Sequence, residues 1–253
     1  MKFFLGTHHP SWLNKTRLPL MVSHRRLKDR RGLPRAVGPW ALDSGGFTEL
    51  TLHGKWTVPV ADYITAVEQY RDEIGNMVLA APMDWMCEPW MVEKTSLTVQ
   101  EHQRRTVENY LDLVGRAPDL PWMPVLQGWT LDDYHRHVAD YCDAGVSLQD
   151  QPVVGIGSVC RRQATGEAAG IIRSLWATGI KNLHGFGFKV QGLREVGPLM
   201  ASADSMAWSY RARRSEPLPG CTHKSCSNCM RFALQWREKV VAGISADFQG
   251  ALL

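Results

Sequence analysis

The sequence predicts a (β/α)8 (TIM) barrel with a zinc-binding element near its C-terminus, and three observations carry that prediction. Short apolar segments alternate with segments of helical periodicity, the order that builds a parallel sheet. Eight such apolar segments fit into 253 residues, and a chain of roughly 250 residues is the usual size of one closed barrel. A compact group of three cysteines and a histidine, Cys221, His223, Cys226 and Cys229, follows the last apolar segment.

In chain order, the strands are expected near residues 3–7, 18–23, 40–43, 77–84, 122–127, 153–159, 182–188 and 202–207. Helices are clearest over 60–74, 98–114, 131–145 and 164–179, where apolar residues recur about every 3.6 positions and several runs stop near glycine. Between the second and third strands stands only a basic, proline-containing segment with no helical pattern. The run 231–245 reads as a terminal helix packed on the body, and residues 217–232 as the metal-binding subregion of a single domain spanning 1–253. Cys87, Cys142 and Cys160 sit in apolar or helical settings and read as buried thiols.

A composition of 44% hydrophobic and 21% charged residues supports a sizeable core and excludes a broadly disordered chain. No apolar run reaches the ~18 residues that span a bilayer. The opening MKFFLGTHHP is interrupted too early for a signal peptide, so a cytoplasmic location is expected. The net charge is only +4, but it is unevenly spread: from Lys15 to Arg35 eight Lys or Arg face the single acid Asp29, and RARR at 211–214 forms a second cluster. Solvated surface is one reading of each cluster. Phosphate neutralisation is the other, with Arg25, Arg26, Arg211, Arg213 and Arg214 as the candidate contacts to a nucleic acid.

Ligands of parallel α/β folds bind at the carboxyl ends of the strands. There the chain carries Asp43 before Ser44, Gly45 and Gly46; Asp84; Gln127; Gly155 and Gly157; the stretch from His184 and Gly185 to Lys189; and Asp204. Any one of these residues reads equally well as a helix cap or a turn. Six such places around one rim are hard to assign to capping alone. His8, His9, His24 and Lys189 are further candidates to face a substrate, or ordinary surface groups.

The segments LDSGGF, MDWMCEP, VLQG, VGIGS, HGFGF and ADSMAW, followed by a cysteine cluster, resemble in order and spacing the tRNA-guanine transglycosylase superfamily. The resemblance runs from Asp43 to Cys229 and is nearest to the shortened DpdA-type branch that inserts 7-deazaguanines into DNA. It implies that Asp204 is the nucleophile attacking the sugar C1′ of a guanine nucleotide, and that Asp43 is the general acid/base serving the departing and arriving bases. It further implies that Asp84, Gln127 and Gly157 read the edge of the heterocycle while Phe47 stacks on its face. Two carboxylates suit the breaking of an N-glycosidic bond, because oxocarbenium character develops at the sugar while the leaving base needs a proton. The chain departs from the family with Thr48 for a Gln after the aromatic residue, and with His184 for a Met opposite it.

The array C-x-H-x2-C-x2-C offers thiolate and imidazole donors at the spacing of a closed tetrahedral zinc site. His223 stands where the family has its middle cysteine, and no histidine follows it, so Cys229 becomes the fourth ligand. Four protein donors leave no open position for water, which makes the expected zinc structural; a loop of reduced thiols is the competing reading. The partners consistent with these readings are DNA or tRNA, a 7-deazaguanine such as 7-cyano-7-deazaguanine, an accessory ATPase and a second copy of the chain in a homodimer. A non-catalytic nucleic-acid-binding subunit and a barrel hydrolase of sugars or small amides are the competing readings.

Overall fold

The structure, a computed structural model, describes residues 1–160, 162, 166–188 and 190–250. Their strands are β1 (Lys2–Thr7), β2 (Leu20–Ser23), β3 (Trp40–Asp43), β4 (Met77–Ala80), β5 (Val125–Leu126), β6 (Val154–Ile156), β7 (Leu183–Gly185) and β8 (Met200–Ser205). They form one sheet in the order β4-β3-β2-β1-β8-β7-β6-β5, and every pair is parallel. A parallel bridge between Ala80 and Trp122 joins the two ends of that order. Ala80 N–H donates to Pro121 O at 2.8 Å and Met123 N–H to Ala80 O at 3.1 Å, so β4 meets the segment leading into β5 and the ring closes. No edge strand is left to be protected among the described residues.

The helices are α1 (Gly46–His53), α2 (Val60–Ile74), α3 (Pro89–Thr95), α4 (Val99–Arg116), α5 (Leu131–Asp143), α6 (Gly166–Ala177), α7 (Val190–Val196), α8 (Ala207–Ala212) and α9 (Met230–Gly250). Short 3-10 turns at Pro10–Trp12 and His24–Arg26 take the place of helices after β1 and β2, in keeping with the basic, proline-containing sequence there. Thr98 caps α4, and Thr130 with Asp133 forms a reciprocal capping box on α5. The expected start of α6 at residues 164–165 lies outside the described residues, as does Lys189.

The strands are shorter than the apolar runs that announce them. Pro82 and Pro124 lack the N–H that a continuing ladder requires, so β4 stops at Ala80 and β5 is reduced to two residues. In the last strand of the chain, Ala207 belongs to α8 rather than to β8. The short helices α1, α3, α7 and α8 have no signature in the sequence, because six to eight residues hold too few turns to show a period. Of the three scattered cysteines only Cys87 is buried; Cys142 is exposed on α5 and Cys160 is partly exposed.

One large apolar core lines the barrel and the inner faces of the helices, with Trp40, Tyr63, Tyr134, Tyr141 and Trp208 fully buried. The terminal helix α9 is longer than the expected 231–245 and docks Ala233, Trp236, Val240 and Ile244 on the body. Trp236 meets the ring of Phe3, and Arg237 donates to Phe3 O at 3.0 Å. No helix among the described residues is long and apolar enough to cross a membrane.

Candidate active site

Asp43 ends β3 and Asp204 stands one residue before the end of β8. Their strands are separated in the ring by β2 and β1. Both side chains nevertheless line one cleft of about 580 Å3 at the carboxyl ends of the strands, together with Thr7, His8, Met21, Ser23, Arg25, Arg26, Phe47, Phe186 and Met206. A second, smaller pocket of about 160 Å3 shares Asp43, Phe47, Phe186 and Gly187 with it. This inner pocket adds Ser44, Gly46, Asp84, Met86, Glu88, Gln127, Gly157, Ser158 and Cys160. The site thus has two adjoining chambers with Asp43 on their common wall.

Burial pushes the Asp43 carboxyl above its ordinary range, and the nearby Asp204 charge adds to the rise. Hydrogen bonds from the Ser23 hydroxyl and the Gly45 amide oppose it. Asp204 accepts from Gly187 N–H at 2.9 Å through Oδ1, and His184 Nε2 lies 3.6 Å from the same oxygen. His184 is fully buried, with Nδ1 2.8 Å from the Ser202 hydroxyl. It therefore supports Asp204 and the Phe186 ring, 4.9 Å away, rather than lining either chamber.

The inner pocket is walled by a hydrogen-bonded chain. Gln127 Nε2 donates to Asp84 Oδ2 at 2.5 Å, and the Ser158 hydroxyl lies 2.7 Å from Gln127 Oε1 and 3.0 Å from Glu88 Oε2. The Ser44 hydroxyl adds a long contact of 3.4 Å to Asp84 Oδ1. The Asp84 carboxyl is lifted to about 7, chiefly by burial, with the Gln127 amide opposing the rise and the Asp43 and Glu88 charges adding to it. The backbone of Gln127 is itself pinned: its N–H donates to His137 Nδ1 at 2.8 Å and its carbonyl accepts from Gln103 Nε2 at 2.7 Å. Burial depresses His137 to about 3, which keeps the imidazole neutral and Nδ1 available as an acceptor.

The glycines divide into two groups. Gly157 lies under the Gln127 amide so closely that a Cβ there would sit 2.1 Å from Nε2, so only glycine lets the amide lie across the pocket wall. Gly45 holds φ +81 where the chain turns from β3 into α1, and the Arg25 stem rests on it. Gly155 and Gly185 do not line the chambers; they make room for the rings of Phe186 and Phe188.

The basic residues also separate. Arg25 and Arg26, in the 3-10 turn after β2, line the outer chamber, and Arg26 Nη2 lies 3.4 Å from His8 Nδ1. The His8 imidazole is pushed below its usual range by burial, then by the charges of Arg26, His9 and Arg213. The Arg213 charge thus reaches His8, although Arg213 does not itself line the chamber. Arg211 instead lines a separate cleft of about 440 Å3 bordered by Phe232, Trp236 and Lys239 of α9. Arg214 stacks 4.0 Å over the exposed ring of Tyr210. His24 is buried behind the site against Tyr63 and Tyr70, and His9 Nε2 reaches Asn228 Oδ1 at 3.2 Å.

Phe186 lies in the strand-end stretch 184–189 that the sequence singles out, and the structure puts its ring on both chambers. Glu88 and Ser158 are pocket residues that the sequence does not single out. Glu88 precedes Pro89 at the start of α3 and reads as the mere flank of a helix; its side chain makes no cap and is only 4% exposed. Ser158 is a small residue after a glycine, and nothing local announces that its φ is +55, a left-handed value uncommon outside glycine.

Near the C-terminus, the donor atoms of Cys221, His223, Cys226 and Cys229 all lie within 4.8 Å of one another. The sulfurs of Cys221 and Cys226 are 3.9 Å apart. Thiolates ~2.3 Å from a tetrahedral zinc stand about 3.8 Å from each other, so the donor set fits that ion. The Ser225 hydroxyl donates to Ala212 O and the Ser209 hydroxyl to Ser227 O, which ties this loop to α8. Helix α9 begins at the residue after Cys229.

Fold and cleft together define the class: a (β/α)8-barrel protein in which acids from β3 and β8 share one cleft that opens into a small polar pocket. The particular family is given by comparison. The profile of "DpdA: DeoxyPurine in DNA protein A" matches residues 1–250, and the chain belongs to that family, the DNA 7-deazaguanine transglycosylases. It is in general terms a DNA deoxypurine transglycosylase. Comparison with curated proteins returns no match.

Proposed function

We propose that the protein exchanges guanine in DNA, in preference to tRNA, for a 7-deazaguanine such as 7-cyano-7-deazaguanine, through a covalent glycosyl-aspartate on Asp204. The observation that supports this reading most is the shared cleft: Asp43 and Asp204 line one chamber, and Asp43 also borders a pocket walled by Asp84, Gln127 and Gly157.

The target nucleotide leaves the base stack and puts its base in the inner chamber and its sugar and phosphates in the outer one. An Asp204 oxygen attacks C1′ as the C1′–N9 bond breaks, and the bonding pair leaves with guanine. Asp43, whose raised carboxyl is a ready proton donor, protonates the departing base. The arriving 7-deazaguanine then gives its N9 proton to the Asp43 carboxylate while N9 attacks C1′, and Asp204 leaves as a carboxylate. Two inversions preserve the configuration of the sugar. Phe47 and Phe186, which border both chambers, bracket the flat base, and Arg25, Arg26 and Arg213 hold phosphates at the mouth.

We also propose structural zinc at Cys221, His223, Cys226 and Cys229, where four protein donors close the coordination shell. The ion would brace α8 and α9 and take no part in the exchange.

The test is incorporation of labelled 7-deazaguanine into a guanine-containing single strand, with denaturing gels to detect protein joined to DNA. Asp204→Asn is expected to abolish both the adduct and incorporation while leaving the thermal melt near that of the unaltered protein. Full activity in that variant would refute the assignment.

A further inference from the structure

Base exchange obliges one pocket to hold two different heterocycles in turn. Guanine presents an acceptor at N7, whereas a 7-deazaguanine has carbon there, so a fixed N–H donor at that place would be left unpaired by the second base. A hydroxyl is the group that escapes this conflict, since its proton rotates to suit its surroundings.

The pocket wall holds such a group. Resting on the base-exchange reading above, we propose that Ser158 is the residue that lets this pocket accept both bases: its proton turns to N7 when guanine is bound and to Glu88 or Gln127 when a 7-deazaguanine is bound.

The order of contacts along the wall is Asp84, Gln127, Ser158, Glu88, at 2.5, 2.7 and 3.0 Å. The edge of guanine runs in a matching order, from the N2–H and N1–H donors through the O6 acceptor to the N7 acceptor. A carboxylate opposite N1 and N2 and an amide N–H opposite O6 bring Ser158 to position 7. The hydroxyl has one proton and two acceptors already in reach, Gln127 Oε1 and Glu88 Oε2, while Cys87 N–H donates to its oxygen at 2.8 Å. That donated bond fixes the oxygen and leaves only the proton to move. Glu88 has the further use of taking the proton without disturbing the amide that reads O6. The φ of +55 at Ser158 fits a residue held in place for its side chain, since glycine would adopt that backbone more readily.

The experiment measures equilibrium binding of free guanine and of unsubstituted 7-deazaguanine to the whole protein, alongside exchange of each into a single strand. Ser158→Ala is expected to weaken guanine about tenfold, the worth of one hydrogen bond, and to change 7-deazaguanine less than twofold. Ser158→Gly, which relieves the backbone, should give the same selective loss, so that a folding defect in the first variant cannot be mistaken for it. An equal loss for both bases, or no change in their ratio, overturns the proposal. Binding is read without turnover: if the unaltered protein exchanges no base yet the binding ratio shifts, the proposed reaction fails while the role of Ser158 stands.

Discussion

Buried Asp84 carries a cost in stability and, in the proposed reaction, a role in holding the base. Its carboxyl is lifted to about 7 chiefly by burial. A group that binds its proton more tightly in the folded chain than in the unfolded one lowers stability as pH rises between the two values. The window runs from about 4, the ordinary carboxylate value, to about 7. The isosteric Asp84→Asn should therefore melt at the same temperature as the unaltered protein near pH 4, and progressively higher from there to pH 8. The gain should reach the order of a few kcal/mol, and thermal melts across that range measure it. Base binding should move the opposite way, because an ionised carboxylate accepts from both N1–H and N2–H, so affinity for guanine should rise through pH 7 and be lost in the variant. A flat pH profile for both quantities would refute this account. Asp84 is legible in the sequence as a strand-end acid, but Glu88 and Ser158, which complete its wall, are not. Their importance lies in hydrogen bonds that span 31 and 70 residues, from Ser158 to Gln127 and to Glu88, which no local pattern records.

Helices of a dozen residues or more are readable because an amphipathic period repeats over several turns; the expected helix over 60–74 is α2 as observed. Strand lengths are not readable. The apolar runs continue past the last ladder bond, and several of the overrunning residues, Ala81, Asp84, Phe186 and Gly187, line the pocket. The cysteine cluster is legible as ligand spacing, and the fold adds what it braces: α8 on one side, the first turn of α9 on the other, and His9 through Asn228. Native mass spectrometry should find one zinc ion per chain. Chelation should deprotect the amides of residues 207–235 in hydrogen exchange and lower the melting temperature, with the strands β2 to β6 retaining their protection. Unchanged exchange after metal removal, or no bound zinc, would sink this role.

On the scale of the whole molecule, a modest net charge of +4 conceals a directed field. Arg25 and Arg26 line the outer chamber and the charge of Arg213 acts on His8 in its wall, whereas Arg211 lines a separate cleft and Arg214 stacks on Tyr210. Replacing Arg25, Arg26 or Arg213 by Ala should weaken single-stranded DNA binding and make the plot of log affinity against log salt shallower by about 0.7 for each phosphate no longer neutralised. The same change at Arg214, occupied over Tyr210, should leave that slope nearly intact. Fluorescence anisotropy from low to moderate salt separates the two results. Equal effects at all four positions would mean that the basic clusters act as one diffuse cloud.

By itself the sequence determined the alternation of strands and helices, the rim positions of Asp43, Asp84, Gln127 and Asp204, and the donor set of the metal cluster. Each of these is written in residue types at short spacing, where local geometry follows from the order of the chain. Only the tertiary structure decided that Asp43 and Asp204 share a chamber, that Gly155, Gly185 and His184 support it from beneath, and that Glu88, Ser158 and Phe186 finish the pocket. Closure of the ring brings together residues far apart in sequence, and the burial that follows fixes their hydrogen bonds and their protons.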